Sequence, residues 1–236
     1  MKHATHAKKF DPTGHAVLAA IVAATGLFAA TAVHAQSAGS IMLRVGATRI
    51  DPNVKSGDLT APSFPGTKAD IEADTQPGAG LTYMLTDHIA IDIPLALPFK
   101  HKIVGDGAIA GVGKIGEVKA LPITVMGQYR FLDAASAFRP YVGAGVTYAK
   151  FYKGRSTAAL SALTGGTPAN PTTLDVDSKF AATIQIGASY AFTDRWFLDA
   201  TVLRTFLKTT TTLSTGQTLA TQLDPTTVAL SVGYRF

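Results

Sequence analysis

The chain has no cysteine among its 236 residues. That excludes disulfides, a thiolate metal site and lipid attachment through a cysteine following an export signal. Charge is also sparse, at 16% of residues, with a formal balance of +5. The cations are scattered along the chain rather than gathered into a stripe, which argues against nucleic acid as a partner. Beyond residue 35 no second segment has the makings of an apolar membrane helix. Histidine is nearly absent from the same region. His88 and His101 are isolated from each other and from any clustered carboxylates, so the spacing offers no metal site and points to no cofactor. The glycine-rich stretch 105–116 lacks the lysine-hydroxyl ending of a phosphate-binding loop and follows no βαβ pattern, so it is expected to be a flexible loop.

What is present begins with an export signal. Lys2, Lys8 and Lys9 precede the uncharged stretch Ala16 to Val33, and Val33-His34-Ala35 supplies small residues where a signal peptidase cuts. Residues 1–35 are therefore expected to be a cleavable signal peptide, and residues 36–236 one domain. Removing the signal takes away three lysines and Asp11, so the balance falls from +5 to +3.

The mature part alternates. Successive side chains of a strand face opposite sides, so a wall between lipid and a lumen must set apolar residues against small or polar ones. Segments 41–48, 78–85, 89–97, 121–131, 140–150, 182–192, 196–208 and 227–236 do this. In the third, Ile89, Ile91, Ile93, Leu95 and Leu97 face one way, and Ala90, Asp92, Pro94 and Ala96 the other. The connections alternate as well. Those at 86–88, 132–138 and 193–195 are short, whereas 51–75, 98–116, 151–178 and 209–223 are long. Tyr83, Tyr129, Phe131, Tyr190, Phe192, Trp196, Tyr234 and Phe236 all fall beside the short turns or the C-terminus, on the apolar parity, as an interfacial girdle would. The fold class expected is all-β: an eight-stranded antiparallel transmembrane β-barrel in the outer membrane, with short periplasmic turns and long extracellular loops. A soluble ligand-binding barrel would need a polar outer face, and the second parity is mostly Gly, Ala, Ser and Thr, which is too uncharged for one.

An ordered set of short patches then points to a family. Met42-Leu43-Arg44-Val45-Gly46-Ala47-Thr48 leads to Pro52-Asn53; Thr86-Asp87-His88-Ile89-Ala90 precedes Pro98-Phe99-Lys100-His101-Lys102-Ile103. Leu121-Pro122, Gln128-Tyr129 and Arg139 to Gly145 follow, and the chain closes on Asp224-Pro225 and Gly233-Tyr234-Arg235-Phe236. Together they resemble the OmpW family over essentially the whole mature chain. The resemblance departs at Thr226-Thr227, where the family commonly carries an aromatic. It implies a narrow barrel with an apolar lumen that passes small hydrophobic molecules across the outer membrane, and use as a receptor by bacteriocins. A terminal aromatic such as Phe236 is shared by outer-membrane barrels in general, which implies the barrel assembly machinery as a partner.

Read from parity alone, the lumen divides in two. Arg44, Asp92, Arg130, Asp199 and Arg235 lie inward near the short-turn ends, so opposite charges are expected to meet there as a plug, since unpaired charge would be costly. Toward the long loops the lining is expected to be Thr48, Ile50, Pro94, Ala96, Pro122, Thr124, Thr147, Leu203 and Thr205, with no charge among them. The bland alternative is that these ion pairs only fill a barrel with little interior room. Proline donates no ladder hydrogen bond, so Pro94, Pro98 and Pro122 mark either a weak lateral seam or an ordinary bulge. Lysines on the long-loop side, among them Lys100, Lys119 and Lys150, suit lipopolysaccharide phosphates or are simply solvated charge. The leading reading is a channel for small hydrophobic solutes with release into the membrane; the alternative is a structural, adhesive or receptor barrel working through its loops. Catalysis on lipid A is disfavoured, because His88 is in a turn and His101 has no serine beside it.

Overall fold

Alternating segments joined by tight turns form staves, and a computed structural model describing residues 36–236 shows them closed into a cylinder. The export signal expected at 1–35 lies outside the described residues. In chain order the elements are β1 (Ile41–Asp51), β2 (Lys55–Ser56), β3 (Thr67–Ile71), β4 (Asp74–Met84), β5 (Ile89–Ala96), β6 (Phe99–Gly107), β7 (Lys114–Arg130) and β8 (Phe138–Ser156). They continue with α1 (Ala158–Thr164), β9 (Leu174–Val176), β10 (Lys179–Ala191), β11 (Trp196–Phe206), β12 (Lys208–Leu213), β13 (Thr218–Gln222) and β14 (Thr226–Arg235). The barrel order is β1, β4, β5 with β6, β7, β8, β10, β11, β14 and back to β1, every neighbour antiparallel. Closure leaves no free edge, which is what lets strands cross lipid.

Parity sets the faces. Val45, Leu95, Val125, Ile186 and Leu230 are exposed on the outer wall, whereas Met42, Asp92, Met126 and Thr183 are buried inside. The aromatic girdle is built as cross-packed rings: Tyr129 with Phe131, Trp196 with Tyr234, and Tyr234 with Phe236 meet edge to face at 4.9–5.1 Å. At the opposite rim the outward positions turn cationic, where Lys100 pairs with Lys119 and Leu121 with Lys150. These lysines mark the upper limit of the apolar band.

Above that limit the structure departs from the sequence expectation. The long connections are not mainly loops. β6 and β7 run on as a hairpin whose tip is the stretch 108–113, so the glycine-rich segment expected to be flexible is a strand turn. β12 and β13 form a second hairpin, flanked by β9 and β2 in a separate four-stranded sheet. The helix α1 fills the remaining side, capped by the Thr157 hydroxyl, which accepts from the Leu160 N–H, and ended by Gly165 at φ 84°. These pieces enclose an apolar cluster that includes Leu59, Ile103, Ile109, Ile115, Leu160, Leu174 and Leu213. A stretch rich in Thr and Gly reads as loop because its apolar residues are few, although those of the cluster point to one interior.

Candidate functional site

The floor of the lumen is organised by Arg44 on β1. Its guanidinium meets Asp92 of β5 through two parallel bonds of 2.7 and 2.8 Å, and its Nε lies 3.7 Å from Asp199 of β11. Thr82 donates to Asp92 at 2.6 Å and accepts from Arg44 at 2.7 Å. Asp92 is fully buried, a placement that carboxylates tolerate only with this degree of pairing. Tyr141 of β8 donates its hydroxyl to Asp199 at 3.1 Å, and the Arg130 guanidinium lies over the Tyr141 ring, 4.6 Å from its centre. Arg130 also donates to Gln36 at 2.7 Å and Gln128 at 3.2 Å. A further layer follows, in which Gln128 donates to Gln185 and Gln185 to Thr201.

Small wall residues make room for these side chains. Gly80 stands opposite Arg44 in the ladder, and a Cβ there would come within 2.5 Å of the guanidinium carbon. Gly187 stands opposite Tyr141, where a Cβ would lie 2.4 Å from the ring. Two of the glycines on the inward parity are thus the space occupied by the floor.

Of the five charged residues expected to meet, the structure brings Arg44, Asp92 and Asp199 into one cluster and joins Arg130 to it through Tyr141. Arg235 is elsewhere. It sits half-buried at the periplasmic rim and donates to the carbonyl of Asp194 in the last short turn, because β14 ends there and its parity no longer faces an enclosed lumen. The periplasmic end is capped instead by Arg139, which donates to the carbonyls of Gln36, Phe131, Asp87 and Leu132. Sequence reasoning missed Tyr141, Gln128, Gln185 and Arg139. Tyr141, Gln128 and Gln185 fall on the inward parity of their strands, but a search for charge alone passes over neutral partners.

Above the floor is a chamber of about 1100 Å³ including its mouth. All nine lining residues named from parity (Thr48, Ile50, Pro94, Ala96, Pro122, Thr124, Thr147, Leu203 and Thr205) face it, together with Phe99, Val118, Phe151 and Leu223 from the upper storey. Three of its lining hydroxyls, Thr124, Thr147 and Thr205, are joined through the buried Thr183 in a chain at 2.8, 2.7 and 3.0 Å. A second apolar space of about 920 Å³ adjoins it, sharing Ile71, Val118, Phe151 and Leu223 as walls.

Pro94 and Pro122 flank a break in the wall. β5 pairs with β7 from Ile89 to Asp92, and pairing resumes between β6 and β7 at Phe99 and Ala120. Between these points the six residues Ile93 to Pro98 oppose the five residues Leu121 to Val125 without a ladder. The chamber reaches this break, since Leu95, an outward residue, is among its walls. Pro98 is half-buried at the end of the gap and does not line the chamber.

Among the described residues no group of three His, Asp or Glu side chains is placed to hold a metal. His88 lies in a periplasmic turn and His101 in the upper chamber, at opposite ends of the barrel.

A family model for the OmpW family matches residues 37–236. The chain belongs to the OmpW family. Outer membrane protein W of Vibrio cholerae is 34% identical over 227 residues, covering 94% of this chain and 97% of that protein. The crystal structure of the outer membrane protein OprG from Pseudomonas aeruginosa superposes with a TM-score of 0.77 at 25% identity, covering 86% of this chain and 99% of that one. A more distant relative from Pseudomonas aeruginosa, named dibenzothiophene metabolism operon protein PahQ, is 24% identical over 181 residues, 75% of this chain and 79% of that protein. The chain is an outer-membrane barrel of this family.

Proposed function

We propose that the barrel admits small hydrophobic molecules from outside the cell and releases them sideways into the membrane between β5 and β7. The observation that carries this reading is an apolar chamber continued by a second apolar space, with a charged and hydrogen-bonded floor below and an unpaired stretch of wall at its side. A solute without charge gains about 25 cal/mol per Å² of apolar surface on leaving water for such a lining, and would have to break the ion-paired floor to go straight through. The side route ends in lipid, which suits the same solute. The relative named for a dibenzothiophene metabolism operon fits this solute class, since dibenzothiophene is apolar and uncharged.

Purified protein in liposomes should take up apolar solutes faster than empty liposomes. If it does not, the uptake reading fails and a barrel acting through its outer surface as an adhesin or receptor takes its place. The side exit has its own test: Pro94→Val with Pro122→Val restores two ladder donors and should slow release, and unchanged uptake would remove the seam from the mechanism.

The reading is non-catalytic and needs no cofactor. Its lipid partners follow from the rim. Lys100 stands directly opposite Lys119 on the outer face, an arrangement that destabilises a strand pair unless an anion lies across it, and lipopolysaccharide phosphates supply one at that depth. Phe236, exposed at the C-terminus, is offered as the contact for the barrel assembly machinery.

A further inference from the structure

One side chain in the upper chamber is out of keeping with its surroundings. His101 on β6 is 5% exposed and lines the chamber beside Phe99, Val118, Ala120 and Ile71. Its Nδ1 lies 3.0 Å from the carbonyl oxygen of Glu72. A carbonyl has only lone pairs to offer, so Nδ1 must hold the hydrogen and donate it. The neutral ring is thereby fixed as the tautomer whose Nε2 is a bare acceptor. Phe99 stacks on the ring at 6.1 Å and 16°, which holds its plane.

Nε2 has no hydrogen-bond partner among the described residues. Neither is it sealed away: the only buried side-chain nitrogen or oxygen there that lacks both a partner and access is Nε of Arg130. The His101 acceptor therefore opens on the chamber. Three of the lining threonines, Thr124, Thr147 and Thr205, are already engaged in a hydroxyl chain through Thr183.

We infer that His101 Nε2 is a recognition group, and that the chamber favours hydrophobic solutes bearing a single hydrogen-bond donor, such as an aliphatic alcohol or a phenol, over hydrocarbons of the same size. This rests on the uptake reading above and adds the solute class to it. A hydrocarbon filling the chamber strips water from Nε2 and leaves it unpaired, whereas a hydroxyl replaces that water. Sites holding a buried acceptor reject the analogue that lacks the donor for this reason. One neutral hydrogen bond corresponds to a preference of about fivefold.

The test uses the full mature barrel in detergent micelles with ¹⁵N-labelled histidine rings, titrated with 1-octanol and with octane at a pH where the ring is neutral. The His101 Nε2 resonance should shift toward deshielding with octane, which strips its water, and stay near its starting position with octanol, whose hydroxyl replaces that water. Equal deshielding with both solutes, or no shift with octane, overturns the inference. In liposomes, His101→Phe should lower the octanol-over-octane ratio about fivefold, and His101→Gln, which keeps an acceptor, should recover part of the ratio. An unchanged ratio in His101→Phe also overturns it. The two readings separate cleanly: a contrast in ring shift with neither solute entering liposomes keeps the site and sinks uptake, whereas uptake of both solutes with equal ring shifts keeps the channel and sinks the recognition role.

Discussion

Below the level of Lys100 and Lys119 the wall carries its oily side chains outward and its polar ones inward; above that level the two sets trade places. On β7 the trade involves no change of phase. Ile123 and Val125 face lipid and Thr124 faces the lumen, while higher on the same strand Glu117 and Lys119 face out and Val118 and Ala120 face in. On the neighbouring stave it is made by the backbone. Ile91 and Leu95 point outward, but Phe99, His101 and Ile103, on the same odd numbering, point inward, because an extra residue is inserted between Asp92 and Phe99. That insertion both reverses the face and opens the ladder, in the manner of a bulge. One local irregularity thus serves two ends: it converts a membrane wall into a water-soluble one, and it leaves the side break that the chamber reaches.

The lower storey is disrupted most severely at its floor. Arg44→Met leaves Asp92 and Asp199 buried without their shared cation, and the loss expected from severing a buried pair is about 3–5 kcal/mol, measurable as a lower urea midpoint in micelles. Asp92→Asn with Asp199→Asn attacks the same floor from the acidic side. It leaves Arg44 and Arg130 without carboxylates, and conductance across planar bilayers should rise; no added leak would show that the cluster fills space without sealing the lumen. The upper storey has no such charge to lose. Leu174→Ala removes side-chain packing from the cluster of Leu59, Ile115 and Leu213, and should cost toward the low end of about 2–5 kcal/mol, since Leu174 already borders open space. Its signature should be local: protease cutting near β9 and the β12–β13 hairpin with the membrane staves still protected. Loss of the whole barrel instead would mean that the two storeys fold as one unit.

The lower storey was legible in the sequence because lipid imposes a two-residue period on every stave, and parity then hands over Arg44, Asp92 and Asp199 as inward without further information. The same period identified the nine lining residues of the chamber. The upper storey was not legible as structure. Water outside and a narrow apolar interior relax the contrast between faces, so Thr209, Thr210, Thr211 and Thr212 in β12 carry almost no hydropathy signal, although they pair in register with β13. Arg235 was misjudged for a related reason: parity says which way a side chain points but not whether a lumen still surrounds it at the last residue of a strand. His101 was set aside because no nucleophile stands near it, a criterion suited to catalysis and blind to recognition.

The smallest effect expected is also the one that separates the two storeys by chemistry. His101 lies above the apolar band, and burial holds its pKa below the usual imidazole value, outweighing the Glu72 carbonyl and the Asp74 carboxylate, which act the other way. A group whose folded pKa is depressed stabilises the fold fully above its unfolded value, and that contribution is lost as the pH falls through the folded one. The upper storey should therefore weaken on acidification through the lower part of the imidazole range. Following the His101 ring resonance with pH should give a midpoint below that of free imidazole side chains. A midpoint at or above it would mean that water reaches the ring freely, and the upper chamber would then be a wet vestibule and not the apolar continuation of the lumen.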